Sequence, residues 1–259
     1  MTARGFAVMA MICCMMASET AAAERLILSL SHHRVLVTSS FTGTEVVLFG
    51  SIERDQAASL PRRSYDVLVT VTGPRESERT RRKERVLGIW VNVESRTFVN
   101  VPNYLAAISN KPIDTIVNAD LQRRLQIGLA NTVLPQKTGP VVTDAPQEDP
   151  FRMAFLRLKK EHGLYIERDN GVTFFTPTLF RADIPLPSNV PFGLYDVDVK
   201  LFADGAVIAG STSALEIIKV GFEQFVADAA RDYGLLYGLV TAMLALLTGW
   251  FASVVFRRD

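Results

Sequence analysis

Two adjacent histidines, His32 and His33, are the first side chains in this sequence that suit a metal ion. Adjacent side chains of a strand face opposite ways, and His162 is the only other imidazole. They are therefore read as exposed loop or strand residues, and no metal ligand is assigned. Asp196 and Asp198 share a strand face, as paired carboxylates for acid–base chemistry would, but so does any exposed acidic strand. The sequence has no Gly-x-Ser-x-Gly, no glycine loop for a phosphate, and no histidine patterned with a serine and an acid. No catalytic or cofactor-binding residue is assigned, no cofactor is expected, and the chain is expected not to be an enzyme. Its densest charged run is Arg79, Arg81, Arg82, Lys83 and Arg85. These form a candidate patch for anionic headgroups, a polyanion or an acidic partner surface, diluted by Glu76, Glu78 and Glu84. A solvated hairpin is the competing reading. Trp90 and Tyr104 border the turn-rich stretch Asn100 to Leu105, where a binding loop is plausible by type. Core packing is the preferred reading of Trp90.

The elements around these residues read as mainly β. Tyr65, Val67, Val69 and Val71 alternate at the strand period, and Gly73-Pro74 ends the run. Leu26 to Leu30, Arg34 to Thr38, Glu45 to Ile52, Val86 to Val93 and Thr97 to Val101 add strands. Asp114 or Asn118 is expected to cap a helix carrying Leu121, Leu125 and Leu129. Thr132 to Gln147, rich in Pro, Gly, Thr and charge, reads as a linker. Asp149-Pro150 opens a helix with Phe151, Ala154, Phe155 and Leu158 on one face, closed by Gly163. Strands follow, with Asp169-Asn170-Gly171 and Asp204-Gly205 as hairpin turns. Tyr65 to Val69 and Tyr195 to Val199 match in type and spacing, a hint of duplication. The lead-in Pro191-Phe192-Gly193-Leu194-Tyr195 is similar to the closing hairpin of immunoglobulin-like sandwiches. Two immunoglobulin-like β-sandwich domains with added helices are expected, over 24–131 and 150–220 with a linker at 132–149; one larger sandwich with a helical insert is the alternative.

The whole is tied to its last stretch. Gly234 to Phe256 has 23 residues and no charge, enough at about 1.5 Å each to cross a hydrocarbon core of roughly 30 Å. At the other end, Arg4, the apolar run Phe6 to Met16 and Ala21-Ala22-Ala23 predict a signal peptide over 1–23, cleaved before Glu24. Both cysteines, Cys13 and Cys14, fall inside it. Arg257 and Arg258 place a tail of 257–259 in the cytoplasm. The chain is thus expected as a single-pass inner-membrane protein with a periplasmic N-terminal domain. Phe222, Phe225, Val226, Ala229 and Tyr233 predict an amphipathic juxtamembrane helix over 221–233. Without Arg4, Arg257, Arg258, Glu19 and Asp259, the 28 basic and 27 acidic residues become 25 of each, a balance that gives nucleic acid no electrostatic footprint.

Within the span, Gly234, Gly238, Ala242, Ala245, Gly249 and Ser253 recur at steps of three and four. They fall within an arc of roughly 100° on an ideal helix. Such a seam lets another membrane helix approach closely.

The C-terminal stretch GFEQFVADAARDYGLLYGLVTAMLALLTGWFASVVFRRD resembles the end of a family of alphaproteobacterial transmembrane proteins of unknown function. FTGTEVVLFGSIERD, YDVLVTVTGP, RRKERVLGIWVN and FVNVPNYLAAISNKP are similar to it as well. The resemblance implies an exported domain and one C-terminal span, transfers no catalytic residue, and associates the family with a neighbouring sulfite or organosulfur permease. The expected function is a non-enzymatic binding or accessory module whose partners are the bilayer and another membrane helix, its own copy or a multispan protein. Sensing of a periplasmic solute or envelope polymer is the alternative.

Overall fold

A computed structural model describes residues 24–53, 64–138, 141–221, 226 and 230–255. The expected signal peptide, most of the expected helix at 221–233 and the expected tail 257–259 lie outside the described residues.

The period-two runs become strands because one set of their side chains has a core to enter. One sheet has the order β1 (Arg25–Leu30), β3 (Gly43–Glu53), β12 (Leu179–Pro187), β11 (Val172–Thr176), antiparallel throughout. A second runs β10 (Tyr165–Arg168), β7 (Leu105–Ser109), β4 (Asp66–Thr72), β13 (Gly193–Ala203), β14 (Ala206–Lys219), β2 (Arg34–Val37). Its two outermost pairings, β10 with β7 and β14 with β2, are parallel. A third sheet is β5 (Arg75–Val86), β6 (Ile89–Pro102), β8 (Pro135–Thr138), β9 (Val141–Asp144). The helices are α1 (Ile113–Ile116), α2 (Ala119–Leu125), α3 (Pro150–Glu161) and α4 (Gly234–Val255).

The first two sheets enclose the main core. Leu48, Phe180 and Ile184 of one meet Val69, Val197, Val199 and Leu215 of the other. The opposite face of the second sheet is partly roofed, with Leu68, Ala107 and Phe202 under Ile113, Ile116 and Ile127. The order β1-β3-β12-β11 against β14-β13-β4 follows the ABED and GFC pattern of immunoglobulin-type sandwiches. Tyr195, near the start of β13, donates to the Pro191 carbonyl four residues upstream at 2.6 Å, as in a tyrosine corner. The lead-in proline and tyrosine are therefore joined directly.

This pairing departs from the expected division into 24–131 and 150–220. β3 pairs with β12 along nine residue pairs and β4 with β13 along seven, so both stretches build the same two sheets and one core. The expected alternative, one larger sandwich with a helical insert, comes nearer, but the stretch between β4 and β10 also carries the four-stranded third sheet and returns β7 to the sandwich. Nor is the likeness of Tyr65–Val69 to Tyr195–Val199 a repeat of two units. β4 and β13 lie side by side, Val69 opposite Val199, and share an alternation because they share a sheet. Thr132 to Gln147 is not a free linker: it carries β8 and β9, and Leu134 and Ala145 are buried. Asp169-Asn170-Gly171 joins β10 to β11, which lie in different sheets, so it turns the chain between layers and closes no hairpin. Asp204-Gly205 does close one, with φ of 51° and 78° between the paired residues Ala203 and Ala206.

The helix signals are local and behave locally. Asn118 Oδ1 accepts from Leu121 N at 2.9 Å and starts α2. Asp149 Oδ1 accepts from Phe151 N at 2.7 Å, with Pro150 in the first turn of α3. The buried face of α3 is Phe151, Arg152, Phe155 and Lys159, whereas Leu158, expected inside, is exposed.

Three buried tyrosines carry hydroxyls whose ionisation the fold opposes. Burial raises the phenol pKa of Tyr104, Tyr165 and Tyr195 well above the ordinary value. Each donates to a carbonyl, of Pro185, Pro102 and Pro191 respectively. A folded pKa above the unfolded one means this stability is complete below about pH 10 and is lost as pH rises beyond it. In urea titrations of the detergent-solubilised chain, the midpoint should be level up to that pH and then fall. Tyr195→Phe should lessen the steepness of the fall. A midpoint unchanged to pH 11.5 would contradict the assignment (a range set on the ordinary tyrosine pKa of about 10).

Candidate functional site

The charged run lies on β5, one arm of a long ribbon formed with β6. A two-residue turn, Leu87-Gly88, joins the arms, and Val86 opposes Ile89 across it. Near its root the ribbon is buttressed. Phe98 packs on Phe155 of α3 with ring centroids 4.9 Å apart, and β8 pairs with Thr97 and Phe98 only. Beyond that, two strands stand alone.

Lys159 holds the buttress. Its ammonium, almost fully buried, donates to Glu78 Oε1 at 2.5 Å and to the Asn103 carbonyl at 3.3 Å. It also lies 5.6 Å from the Phe155 ring centre and 5.8 Å from that of Tyr165. Arg152, about two turns nearer the start of α3, staples the β8–β9 segment through the carbonyls of Ala130, Thr132 and Ala145 at 2.8, 2.6 and 3.1 Å. Burial pulls its pKa down, and Asp144 and Asp149 oppose the shift.

Alternation along the ribbon sorts its charges. Glu78, Thr80, Arg82 and Glu84 share the face turned to α3, where Thr80 is buried. Across from them, Glu94 and Arg96 occupy the same face. Charges there are matched: Arg82 Nε to Glu84 at 2.9 Å, Arg82 to Glu94 at 3.8 Å, Arg96 to Glu94 at 2.9 Å. Its bond to Glu84 raises the Arg82 pKa. The other face carries Arg79, Arg81, Lys83 and Arg85 at every second position, with Lys137 of β8 beside Thr97. Among the described residues these four β5 cations form no ion pair. The expected patch is therefore split, four cations together and Arg82 behind them. The glutamates expected to dilute it point the other way.

The aromatic expectations divide as well. Tyr104 is fully buried, its hydroxyl bonded to Pro185. Trp90, read as a core residue, is 67% exposed near the ribbon tip, opposite Arg85. The core reading fails because the strand outruns the core that could cover it. Around Trp90, Val86, Leu87, Ile89, Val91 and Val93 are also exposed. A sequence signal for this existed. Gly88 sits inside the run Val86–Val93, expected as one strand, and instead turns with Leu87, while odd positions from 79 to 85 are all basic.

Other expected sites stay apart. His32 and His33 lie in the exposed loop after β1, with His32 Nδ1 3.2 Å from Ser31 Oγ. His162 caps the far end of α3. Asp198 pairs with Lys200 on its own strand, and Asp196 sits opposite Thr72. Among the described residues no three His, Cys, Asp or Glu side chains gather as metal ligands.

The remaining element is α4, 22 residues without a charge, with a stretch from Gly234 to Ser253 long and apolar enough to cross a membrane. Gly234, Gly238, Ala242, Ala245, Gly249 and Ser253 all lie on it. Thr241 and Thr248 return their hydroxyls to carbonyls of their own helix, Tyr237 and Leu244, at 2.9 and 2.7 Å. Residues 25–258 match the family model described as "Putative transmembrane protein (Alph_Pro_TM)". The chain belongs to that family. Comparison with curated proteins found no match. Membership in the Alph_Pro_TM family agrees with the apolar α4 and fits a single-pass membrane protein. It assigns no role to the ribbon.

The buttress yields a direct test. Lys159→Met removes the partner of Glu78 and should lower stability by about 2 kcal/mol. Amide exchange should quicken selectively in β5 and β6. Arg157→Met, on the exposed side of α3, should change neither. Equal exchange in both variants would remove Lys159 as the ribbon's support.

Proposed function

We propose that this protein is a non-enzymatic binding module: an immunoglobulin-type sandwich held in the periplasm by one span, and coupled through that span to another membrane protein. The observation that carries the reading is what surrounds the glycines. Several in the folded domain face close neighbours, although Gly88 at the ribbon turn and Gly221 do not. A Cβ at Gly50 would lie 2.0 Å from the Phe180 ring, one at Gly73 2.9 Å from Tyr104 and Tyr195, and one at Gly171 2.4 Å from Ile108. At Gly234, Gly238 and Gly249 a Cβ would meet nothing within 4 Å. Glycine inside a helix is less favourable than alanine by about 1 kcal/mol, and among the described residues nothing packs on Gly238 or Gly249 to offset it. A second helix packed on the seam offsets it, by close dispersion contact. The family resemblance makes a multispan permease the first partner to try.

In a membrane two-helix assay, Gly238→Ile with Ala242→Ile should abolish association and leave insertion intact. Leu236→Ile with Leu247→Ile, on the opposite side of the helix, should do little. Equal association by both pairs, with the permease present, sinks the reading. The orientation has its own check. A reporter active only in the periplasm should work when fused after Val220, and the mature chain should begin at Glu24. Activity only in the cytoplasm reverses the topology.

A further inference from the structure

The tip of the β5–β6 ribbon is the least expected surface of the molecule. From Val86 to Val93 it has no charge. Leu87 is 98% exposed and Ile89 and Trp90 each 67%. Water penalises such a surface, and a long two-stranded hairpin does not require it.

The turn sharpens the point. Leu87 has φ 51° and Gly88 φ 86°, so both central residues are left-handed. Asparagine, aspartate or glycine suits the first position, and a bulky residue there is disfavoured. Another turn of this kind, Asp204-Gly205, uses aspartate at φ 51°. A leucine in that conformation, with no contact inside the protomer to hold it, points to something outside.

Behind the tip, charge is arranged along the ribbon axis. Arg85, Lys83, Arg81 and Arg79 follow on one face, about 7 Å apart. Arg85 donates to the Gly88 carbonyl at 3.2 Å, which bends it over the turn. From the tip inward come Leu87, Val86 and Ile89, then Trp90 level with Arg85, then Lys83, Arg81 and Arg79, with Val91 and Val93 along the other arm. A lipid monolayer has the same order from its acyl chains outward: hydrocarbon, interface, phosphate. α4 belongs to the same chain and brings a bilayer within reach.

We infer that the β5–β6 tip inserts into the surface of an anionic bilayer. Leu87, Ile89 and Trp90 enter the acyl boundary, and Arg85 and Lys83 meet lipid phosphates. An insertion of about 5–10 Å, usual for interfacial elements, brings Arg85 to phosphate depth. This contact is separate from partner docking through α4 and stands if that docking fails.

The test uses the full chain with Trp250→Phe, which leaves Trp90 as the only tryptophan. It is reconstituted in phosphatidylglycerol–phosphatidylcholine vesicles and in phosphatidylcholine alone. In the anionic vesicles, Trp90 emission should shift to the blue, brominated acyl chains should quench it, and acrylamide quenching should fall severalfold. Adding Leu87→Asn, which suits the turn, should keep or raise the unfolding temperature and undo most of that protection. Arg81→Gln, Lys83→Gln and Arg85→Gln together, or high salt, should undo the preference for anionic lipid. Trp90 equally open to acrylamide in both vesicles overturns the inference. So does Leu87→Asn with quenching intact, or protection that appears only when cell membrane proteins are restored, which would assign the tip to a protein partner.

Discussion

The antiparallel pairing of β4 with β13 is the constraint from which the rest follows. These neighbours are buried along one face, with Val69 and Val199 in the main core, and at one end of the other, where Leu68 and Phe202 enter the smaller one. Such a strand cannot slip by one residue without turning its buried face outward. Its register fixes where the chain leaves the sheet. Gly73 donates to the Tyr104 carbonyl at 2.9 Å and Asn103 to that of Pro74 at 2.8 Å, closing the ribbon's root just beyond β4. Tyr104 and Tyr195 pack over this exit, ring centres 5.6 Å apart, leaving Gly73 no room for a side chain. The ribbon's direction is thus set by the sandwich core.

A two-stranded hairpin is marginal in water on its own. This one survives because its root is built like a domain interior. α3 supplies Phe155 and Lys159, β8 adds a third strand over two residue pairs, and Arg152 pins the segment that carries β8. Farther out, ion pairs on one face take over, Arg82 with Glu94 across the strands and Arg96 with Glu94 along β6. Exposed pairs of this kind contribute a few tenths of a kcal/mol, up to about 1, so the support weakens toward the tip. The tip is also where apolar surface is greatest. Stability and function pull apart along one element, as they do wherever a binding surface is carried on a scaffold.

Much of the strand content and both capped helices were legible, because alternation and capping are local. Tyr195 with Pro191 was legible for the same reason, four residues apart. Strand partnership was not. Nothing in Glu45–Ile52 says that its partner is Leu179–Pro187, more than a hundred residues away, so a boundary drawn by composition at 132–149 cut through one core. Within the ribbon, the separation of charges by parity was open to view in residues 76–85, but only the pairing with β6 shows which face is free. Trp90 was misread for a related reason. A β-rich run with a tryptophan looks the same whether it enters a core or extends past one, and the deciding fact is where α3 and β8 stop.

The anchor and the ribbon tip differ in what they can contribute. An uncharged helix of 22 residues holds a chain in the membrane without help, so the tip adds nothing needed to residence. What a second lipid contact changes is orientation. With one end of the domain tethered, the tip meets the surface at an effective concentration set by the tether and not by the bulk. An interaction too weak to recruit a free protein then becomes decisive. About 1.4 kcal/mol, a tenfold bias, is within reach of a single aromatic side chain entering the interface. It would turn the sandwich to present one side along the membrane and the other away from it. Since β5 leads directly from β4, orienting the ribbon orients the six-stranded sheet with it. The unpaired cations then face lipid, and the sheet's far edge at β2 and β14 stays open.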